Sequence, residues 1–469
     1  MTLIKSTSGI RGTIGGRPGL GLTPFDIVKY TAAFGQWTIE KTGISRIVIG
    51  RDARASGEMV HSLVVSTLRG LGIDVTDLGL SATPTVAMAV TAEKAGGGIV
   101  LSASHYPKEW NGVKLLNQKG EVMSTADGTR IGGLVGNGAV NFSDAHRLGK
   151  VVSNDTYLTR HIEAIRQLPV VDKAAIKAAN FLIAVDGVNS VGGIAVPQLL
   201  HALGVQTIFP IFCEPDGDFG HDPELIPEHL FQLSALVTAK KADMGIAVDP
   251  DVNRLFFCCE DGLPFGDDYL LVAIADHVLK HTPGNVVGSS TRALCDMAEK
   301  SGFSCFSASA GEPFVIEEMK ICHAVVGGEG RGGVIYPGLH YGRDALVAIA
   351  LFLSHVAKAG KSLSQLRGEC PPYYMSKSRI DLHDPTVVEK LLATILEKYE
   401  SSHRREEDGL RIDFEEGWVR LRYAGPESPL WIYTEAGTQK DADRLALRFK
   451  NEAEELLGRG KGRFRTAYK

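Results

Sequence analysis

Short apolar runs, each closed by glycine or a polar turn, recur through the first three quarters of the chain with helix-length stretches between them. Arg46–Gly50 (RIVIG), Gly97–Leu101 (GGIVL), Phe181–Val185 (FLIAV) and Met244–Val248 (MGIAV) are too short for helices, so they read as buried strands. Thr23-Pro24-Phe25-Asp26 opens a helix, with Thr as N-cap and Pro in the first turn. Further helices are expected over 57–71, 193–203, 227–241, 267–281, 293–302 and 313–321. Strands alternating with helices imply βαβ units and mostly parallel sheets. The C-terminal stretch breaks the pattern. Pro371 and Pro372 mark a linker; a strand near 375–382 precedes a helix at 386–399, and strands near 410–414, 418–423 and 430–434 lie between that helix and another at 440–457. That order reads as a small α+β domain. At 469 residues the chain has room for three or four domains.

Charge narrows the function. Fifty basic and 55 acidic residues give a formal net charge of −5. No basic field invites nucleic acid, and no apolar run is long enough for a membrane span. Seven cysteines without a CxxC pair read as reduced, mostly buried thiols of a cytoplasmic protein. Glycine is in excess at 53 residues, which points to loops where backbone must approach a ligand or turn sharply.

Five loops carry candidate chemistry. Ser104, in SASHYPKEWNGVK after the strand 97–101, is placed as a nucleophile or phosphate carrier beside His105 and before Lys114; a turn serine beside a capping histidine is the plainer alternative. Asp249, Asp251 and Asn253 alternate on one tight loop after the strand 244–248. Their oxygens can converge on a hard cation such as Mg²⁺, with Arg254 set to hold an anion; a solvated acidic turn is equally open. The string 327–333 (GGEGRGG) has five glycines around Glu329, an acceptor for sugar hydroxyls; the alternative, a mobile linker, is disfavoured because strands flank the loop closely on both sides. Arg11, between glycines in SGIRG, can reach a phosphate or can be an ordinary cation of a flexible terminus. In GRDARASG (50–57) an Asp paired with a neighbouring Arg can orient the loop, or the segment is a capping turn.

Taken in order, SGIRG, GRDARASG, SASHYPKEWNGVK, DPDVNR and GGEGRGG resemble the α-D-phosphohexomutase family, over essentially the whole chain. Within it, the strings look most like the bacterial phosphoglucosamine-mutase-like branch. The resemblance implies three consecutive α/β domains with mixed, mostly parallel sheets, plus a small C-terminal α+β lid domain, around a central cleft. The boundaries would be 1–152, 153–253, 254–370 and 371–469. It implies interconversion of hexose or hexosamine 1- and 6-phosphates through a phosphoserine at Ser104 and a 1,6-bisphosphate, which also serves as activator. Mg²⁺ would sit between Ser104 and Asp249, Asp251 and Asn253. His105, Lys114 and Arg11 would serve the chemistry, and Arg254, Glu329, Arg331, Arg422 and Glu427 would contact substrate. The partner would be a small sugar phosphate, and the protein a monomer or homodimer.

The chain departs from the family pattern in places. Asn253 stands where the third metal position is usually Asp, which removes one negative charge. Tyr106 replaces a usual Asn. Arg331 and Gly333 stand where many relatives carry Ser and His. In the lid, the stretch 422–428 keeps Arg422 and Glu427 but lacks the hydroxyls, the Asn and, with Trp431 in its place, a second Arg. Each lost donor to a phosphate costs about 1.5–3 kcal/mol. Two rival readings follow from these losses: a non-catalytic sugar-phosphate-binding relative, or a phosphotransferase or phosphatase without full mutase turnover.

Overall fold

A computed structural model describes residues 2–137, 140–288, 291–309, 311–330, 332–382, 384–399, 403–406, 409–423 and 429–458. Two compact units divide the chain: 1–289 with 298–369, and 290–297 with 370–469.

The first unit holds three sheets. The largest has seven strands in the order Ile4–Ser6, Gly9–Thr13, Trp110–Leu116, Gly97–Leu101, Arg46–Arg51, Asp74–Leu80 and Val151–Ser153. Its last four strands run parallel, as the βαβ pattern requires, and the first three pair antiparallel. The second sheet places Leu255–Cys259 antiparallel to Met244–Val248, with Leu182–Asp186 and Thr207–Ile211 parallel beyond. The third orders Cys305–Ser307, Asn285–Gly288, Ala324–Glu329 and Gly333–Ile335, the last pair antiparallel. All three therefore share one device. A parallel run ends in a loop, and the chain returns beside it as an antiparallel strand. The returns follow Leu101, Val248 and Glu329.

Local signals explain the helices. Pro24–Thr42 begins with a capping box between Thr23 and Asp26 and ends at Gly43 in the left-handed region, φ 70°. Ala345–Ala359 is apolar on every side and is buried along most of its length, because it packs against helices on several sides, Asp267–Leu279 and Lys173–Ala179 among them. Asp344 caps it, accepting from the amides of Leu346 and Val347. No single helix among the described residues is long and apolar enough to cross a membrane.

The second unit is a five-stranded antiparallel sheet in the order Tyr374–Ile380, Leu430–Ala436, Gly417–Arg422, Gly409–Asp413 and His403–Glu406. Ile380, Ile412, Val419, Leu421 and Ile432 share a core with Leu391 and Phe449 of the helices Pro385–Lys398 and Gln439–Leu456. This is the α+β arrangement expected from the sequence.

Three expectations need correction. The helix expected from Pro227 begins at Phe231, since 227–229 form a turn before it. Arg11 is not in a loose terminus but in the strand Gly9–Thr13, paired on both sides. Five cysteines remain as thiols, but Cys295 and Cys305 are disulfide-bonded; the absence of a CxxC pair gave no sign of it.

One buried base ties this fold to pH. His277, in Asp267–Leu279, donates from Nε2 to the Val170 carbonyl at 2.8 Å. Burial, with His281, His355 and Lys358 nearby, pushes its imidazole down from 6.5 to about 4. A depressed base takes up its proton more readily in the unfolded chain, so its contribution to stability is complete above pH 6.5 and is lost as pH falls towards 4. The resistance of the wild type to urea should fall between about pH 7 and about pH 4.5, and His277→Gln should flatten that decline. Parallel pH curves for the two proteins would contradict this.

Candidate functional site

The serine loop is organised by a buried arginine. Arg54 is 1% exposed, and each of its five N–H donors has a partner. Nε donates to Asp52 Oδ2 at 3.0 Å. Nη1 donates to the carbonyls of Pro107 and Trp110, and Nη2 to those of Ser104 (2.6 Å) and Tyr106 (2.7 Å). The planar fork thus gathers four carbonyls from one turn of chain. Inside this cage Ser104 sits in the left-handed region, φ 53°, and its amide donates to Ser102 Oγ. A non-glycine residue held there is strained and persists only when its surroundings over-determine it. Of the two readings left open for 50–57, the orienting Asp–Arg pair is the one observed.

Ser104 Oγ donates to Asp249 Oδ2 at 2.6 Å. Asp249 Oδ1 accepts from the amides of Asn253 and Arg254, which closes the acidic loop on itself. Val252 takes φ 59° at its tip, a costly conformation for a β-branched residue. Asp251 is fixed from the serine side of the pocket. Its carboxylate pairs with Lys114 Nζ and accepts from Thr83 Oγ1, and its carbonyl accepts from the Thr83 amide. Burial lifts both carboxyls. At Asp251 the Lys114 ammonium and the hydrogen bonds from Lys114 and Thr83 outweigh burial and hold the group well below the usual carboxylate range. Asp249, buried and beside Asp251, is pushed up.

Strand register brings the cations in. Gly9 pairs with Lys114 and Arg11 with Gly112, so Arg11 and Lys114 leave the same face of adjacent strands. The Arg11 guanidinium lies 4.7 Å from the centroid of the Tyr106 ring, and its buried Nε has no hydrogen-bond partner among the described residues. Tyr106 in turn packs between the His105 and Trp110 rings. A cavity of ≈110 Å³ is lined by Arg11, Ser104, His105, Lys114, Asn253 and Arg254. Glu312 and Arg343 also line it.

Glu329 ends the strand Ala324–Glu329, where Oε1 accepts from the Gly311 amide and Oε2 lies 3.4 Å from Arg343 Nη1. Its loop is stitched to the acidic loop, because Leu255 N donates to the Gly332 carbonyl. Gly332 has φ 73°, and a Cβ there would lie 1.8 Å from Leu255 O, so only glycine fits. Arg331 and Glu427 lie outside the described residues. Arg422 ends its strand in the second unit, opposite Trp431, which is itself opposite Arg379. Lys377 Nζ lies 4.0 Å from the centroid of the Trp431 ring on the same sheet face.

Thr83, Glu312 and Arg343 were missed by sequence reasoning. A signal existed for each: Thr83-Pro84 and Glu312-Pro313 open helices directly after strands, and Arg343 precedes the helix cap Asp344. A second polar cluster, His161, His340 and Asp344, has ligand atoms within 4.8 Å of one another. Asp344 Oδ2 accepts from both rings, and His161 Nδ1 meets Thr85 Oγ1. The two histidines hold the buried Asp344 carboxyl well below its usual range although burial alone would raise it. These groups join three helices rather than face the cavity, and His340 Nδ1 is buried with no hydrogen-bond partner among the described residues.

Known proteins share this architecture. Models of the phosphoglucomutase/phosphomannomutase α/β/α domains I, II and III match residues 2–139, 159–262 and 266–374 in succession. A phosphoglucomutase/phosphomannomutase of Thermococcus kodakarensis is 32% identical over 98% of this chain and 100% of its own length. A probable phosphoglucosamine mutase of Methanopyrus kandleri is 30% identical over 94% of this chain and 95% of its own. Among solved structures, a phosphoglucomutase/phosphomannomutase family protein from Burkholderia thailandensis superposes with a TM-score of 0.82 at 23% identity, covering 99% of this chain and 100% of that one. That last likeness speaks to the fold.

The serine cage makes a prediction. Arg54→Met leaves Asp52 and four carbonyls without their donor inside the protein, at a cost of about 3–5 kcal/mol. Chemical denaturation should register that loss, and amide exchange should quicken across 103–110. Unchanged stability together with unchanged exchange would contradict the assigned role.

Proposed function

The chain belongs to the phosphoglucomutase/phosphomannomutase family, and we propose that it interconverts hexose or hexosamine 1- and 6-phosphates by passing a phosphoryl group through Ser104. The observation that carries this reading is the Ser104–Asp249 contact at 2.6 Å, at the wall of a cavity lined by Arg11, Lys114 and Arg254. A hydroxyl, a buried carboxylate and three cations around one small cavity are the parts phosphoryl transfer needs, since that chemistry is mainly positioning and charge stabilisation.

This reading gives each residue a role. Phosphorylated Ser104 donates its phosphoryl group to a sugar oxygen, giving a 1,6-bisphosphate; after reorientation the bisphosphate returns its other phosphoryl group to Ser104. Lys114 moves the proton at the attacking sugar oxygen, with Asp251 holding the amine in place. Arg11 and Arg254 bear on the phosphoryl oxygens. His105, at the cavity wall, shapes the serine mouth with Tyr106. Glu329 accepts from the sugar hydroxyls. Arg331, Arg422 and Glu427 are assigned to substrate in this reading, with Lys377 and Arg379 as further cations on the Arg422 face of the sheet. The serine, acidic and sugar loops belong to the segments 1–152, 153–253 and 254–370, and the lid to 371–469.

Mg²⁺ fits the acidic loop. Asp251 Oδ1 and Asn253 Oδ1 are buried and have no hydrogen-bond partner among the described residues. Buried acceptor oxygens of this kind are what a hard cation satisfies. Asp249, Asp251, Asn253 and the phosphorylated Ser104 would hold the ion. When bound, it neutralises charge on the transferring phosphoryl oxygens. The intact linkage from Ser104 through Asp249 to Asp251 and Lys114 supports turnover over a binding-only relative.

Two outcomes are expected. Ser104→Ala should abolish both the phosphoryl adduct seen by intact mass and the conversion of hexose 1-phosphate; an adduct that persists elsewhere, or turnover that survives, would defeat the assignment. Asn253→Asp restores one carboxylate and should lower the Mg²⁺ concentration needed for half-maximal rate by about tenfold. An unchanged Mg²⁺ requirement would remove Asn253 from the ion's surroundings.

A further inference from the structure

Glu329 and Gly333 are direct partners across the antiparallel pair Ala324–Glu329 and Gly333–Ile335. A Cβ at Gly333 would lie 2.7 Å from Arg343 Cδ. The arginine stem therefore runs through the space that any side chain at 333 would fill. Its head is anchored on Glu312, with Nε at 2.9 Å and Nη2 at 2.8 Å from Oε2, while the Arg343 amide donates to Oε1 at 3.0 Å. The remaining edge of the guanidinium, Nη1, faces Glu329 Oε2 at 3.4 Å.

The trio is half-buried, with side-chain exposures of 10% for Glu312, 14% for Glu329 and 16% for Arg343, and Glu312 and Arg343 line the cavity. Burial alone would lower the basicity of Arg343, but Glu312 and then Glu329 raise it above the ordinary value. Glu312 is held below the usual carboxylate range by Arg343, against burial. Glu312 is thus spent on orienting the guanidinium, and Glu329 meets the only edge that remains. With Oε1 on the Gly311 amide and Oε2 near Nη1, the Glu329 rotamer is fixed from two sides.

We propose that Arg343 is a positioning residue that, threaded past the bare backbone of Gly333 and oriented by Glu312, sets the Glu329 carboxylate for recognition of the sugar ring. The inference rests on the reading of Glu329 as the sugar-facing carboxylate. Its consequence is selective. Disturbing the trio weakens the sugar contacts and spares phosphate recognition, which belongs to Arg11 and Arg254 on other elements.

The test is equilibrium titration of the full chain with glucose 6-phosphate, glucosamine 6-phosphate and inorganic phosphate. Arg343→Lys keeps the charge but loses the fork; Gly333→Ala leaves every charge in place and pushes on the arginine stem. Each should weaken the sugar phosphates by about tenfold and inorganic phosphate by less than about twofold. Combined with Glu329→Gln, Arg343→Lys should add nothing further, since both act through one carboxylate. Sugar-phosphate affinity unchanged in both variants, equal losses for inorganic phosphate, or additive losses in the double variant would each overturn the inference while leaving the mutase reading standing. If Arg343→Lys fails to fold, Gly333→Ala decides alone. A wild-type protein that binds inorganic phosphate but neither sugar phosphate overturns the reading of Glu329, and this inference with it.

Discussion

Five hydrogen bonds from one buried guanidinium carry the rest of the site. Arg54 holds the Ser104 turn by its carbonyls, so the serine can keep a left-handed backbone that a free loop would abandon. The same segment reaches the acidic loop. Ala53 N donates to Ser190 Oγ, which donates to the Pro250 carbonyl. Serine and carboxylates are therefore placed against each other by backbone contacts before any ligand arrives. Preorganisation of this kind is what phosphoryl transfer asks of a protein.

The site loops recur at one topological place. In each sheet of the first unit a buried strand ends and the chain returns antiparallel beside it. Ser104, Asp249 and Glu329 stand at or just beyond those strand ends. Charge is then dealt out in matched pairs: Lys114 with Asp251, Arg343 with Glu312 and Glu329. Arg11 rests on Tyr106, the residue that replaces a usual asparagine, which offers the guanidinium a ring face where an amide would have offered a hydrogen bond.

Much of this was legible in the sequence because the apolar runs are local signals. RIVIG, GGIVL and MGIAV announce buried strands, and polar strings directly after them mark ligand positions. The returning strands were harder to see. Trp110–Leu116 contains Asn, Gly and Lys, and Ile4–Ser6 is exposed, so neither shows a clean period. The role of Arg54 was one of two open readings, because a caged turn and a capping turn share residue types. Thr83 lies 168 residues from Asp251, and Glu312 and Arg343 stand on separate elements from Glu329, so only the fold brings them together. Gly333 looked like a loss in the sequence, whereas its bare backbone leaves the path for Arg343.

In the proposed reaction Ser104 carries a phosphoryl group to and from a sugar. A single-turnover experiment addresses it directly. Protein labelled on Ser104 with radioactive phosphate is mixed with unlabelled hexose 6-phosphate and Mg²⁺. The account predicts that label leaves the protein, appears in hexose 1,6-bisphosphate, and then in the monophosphate product. Label that stays on the protein, or emerges as inorganic phosphate without passing through the sugar, would contradict it.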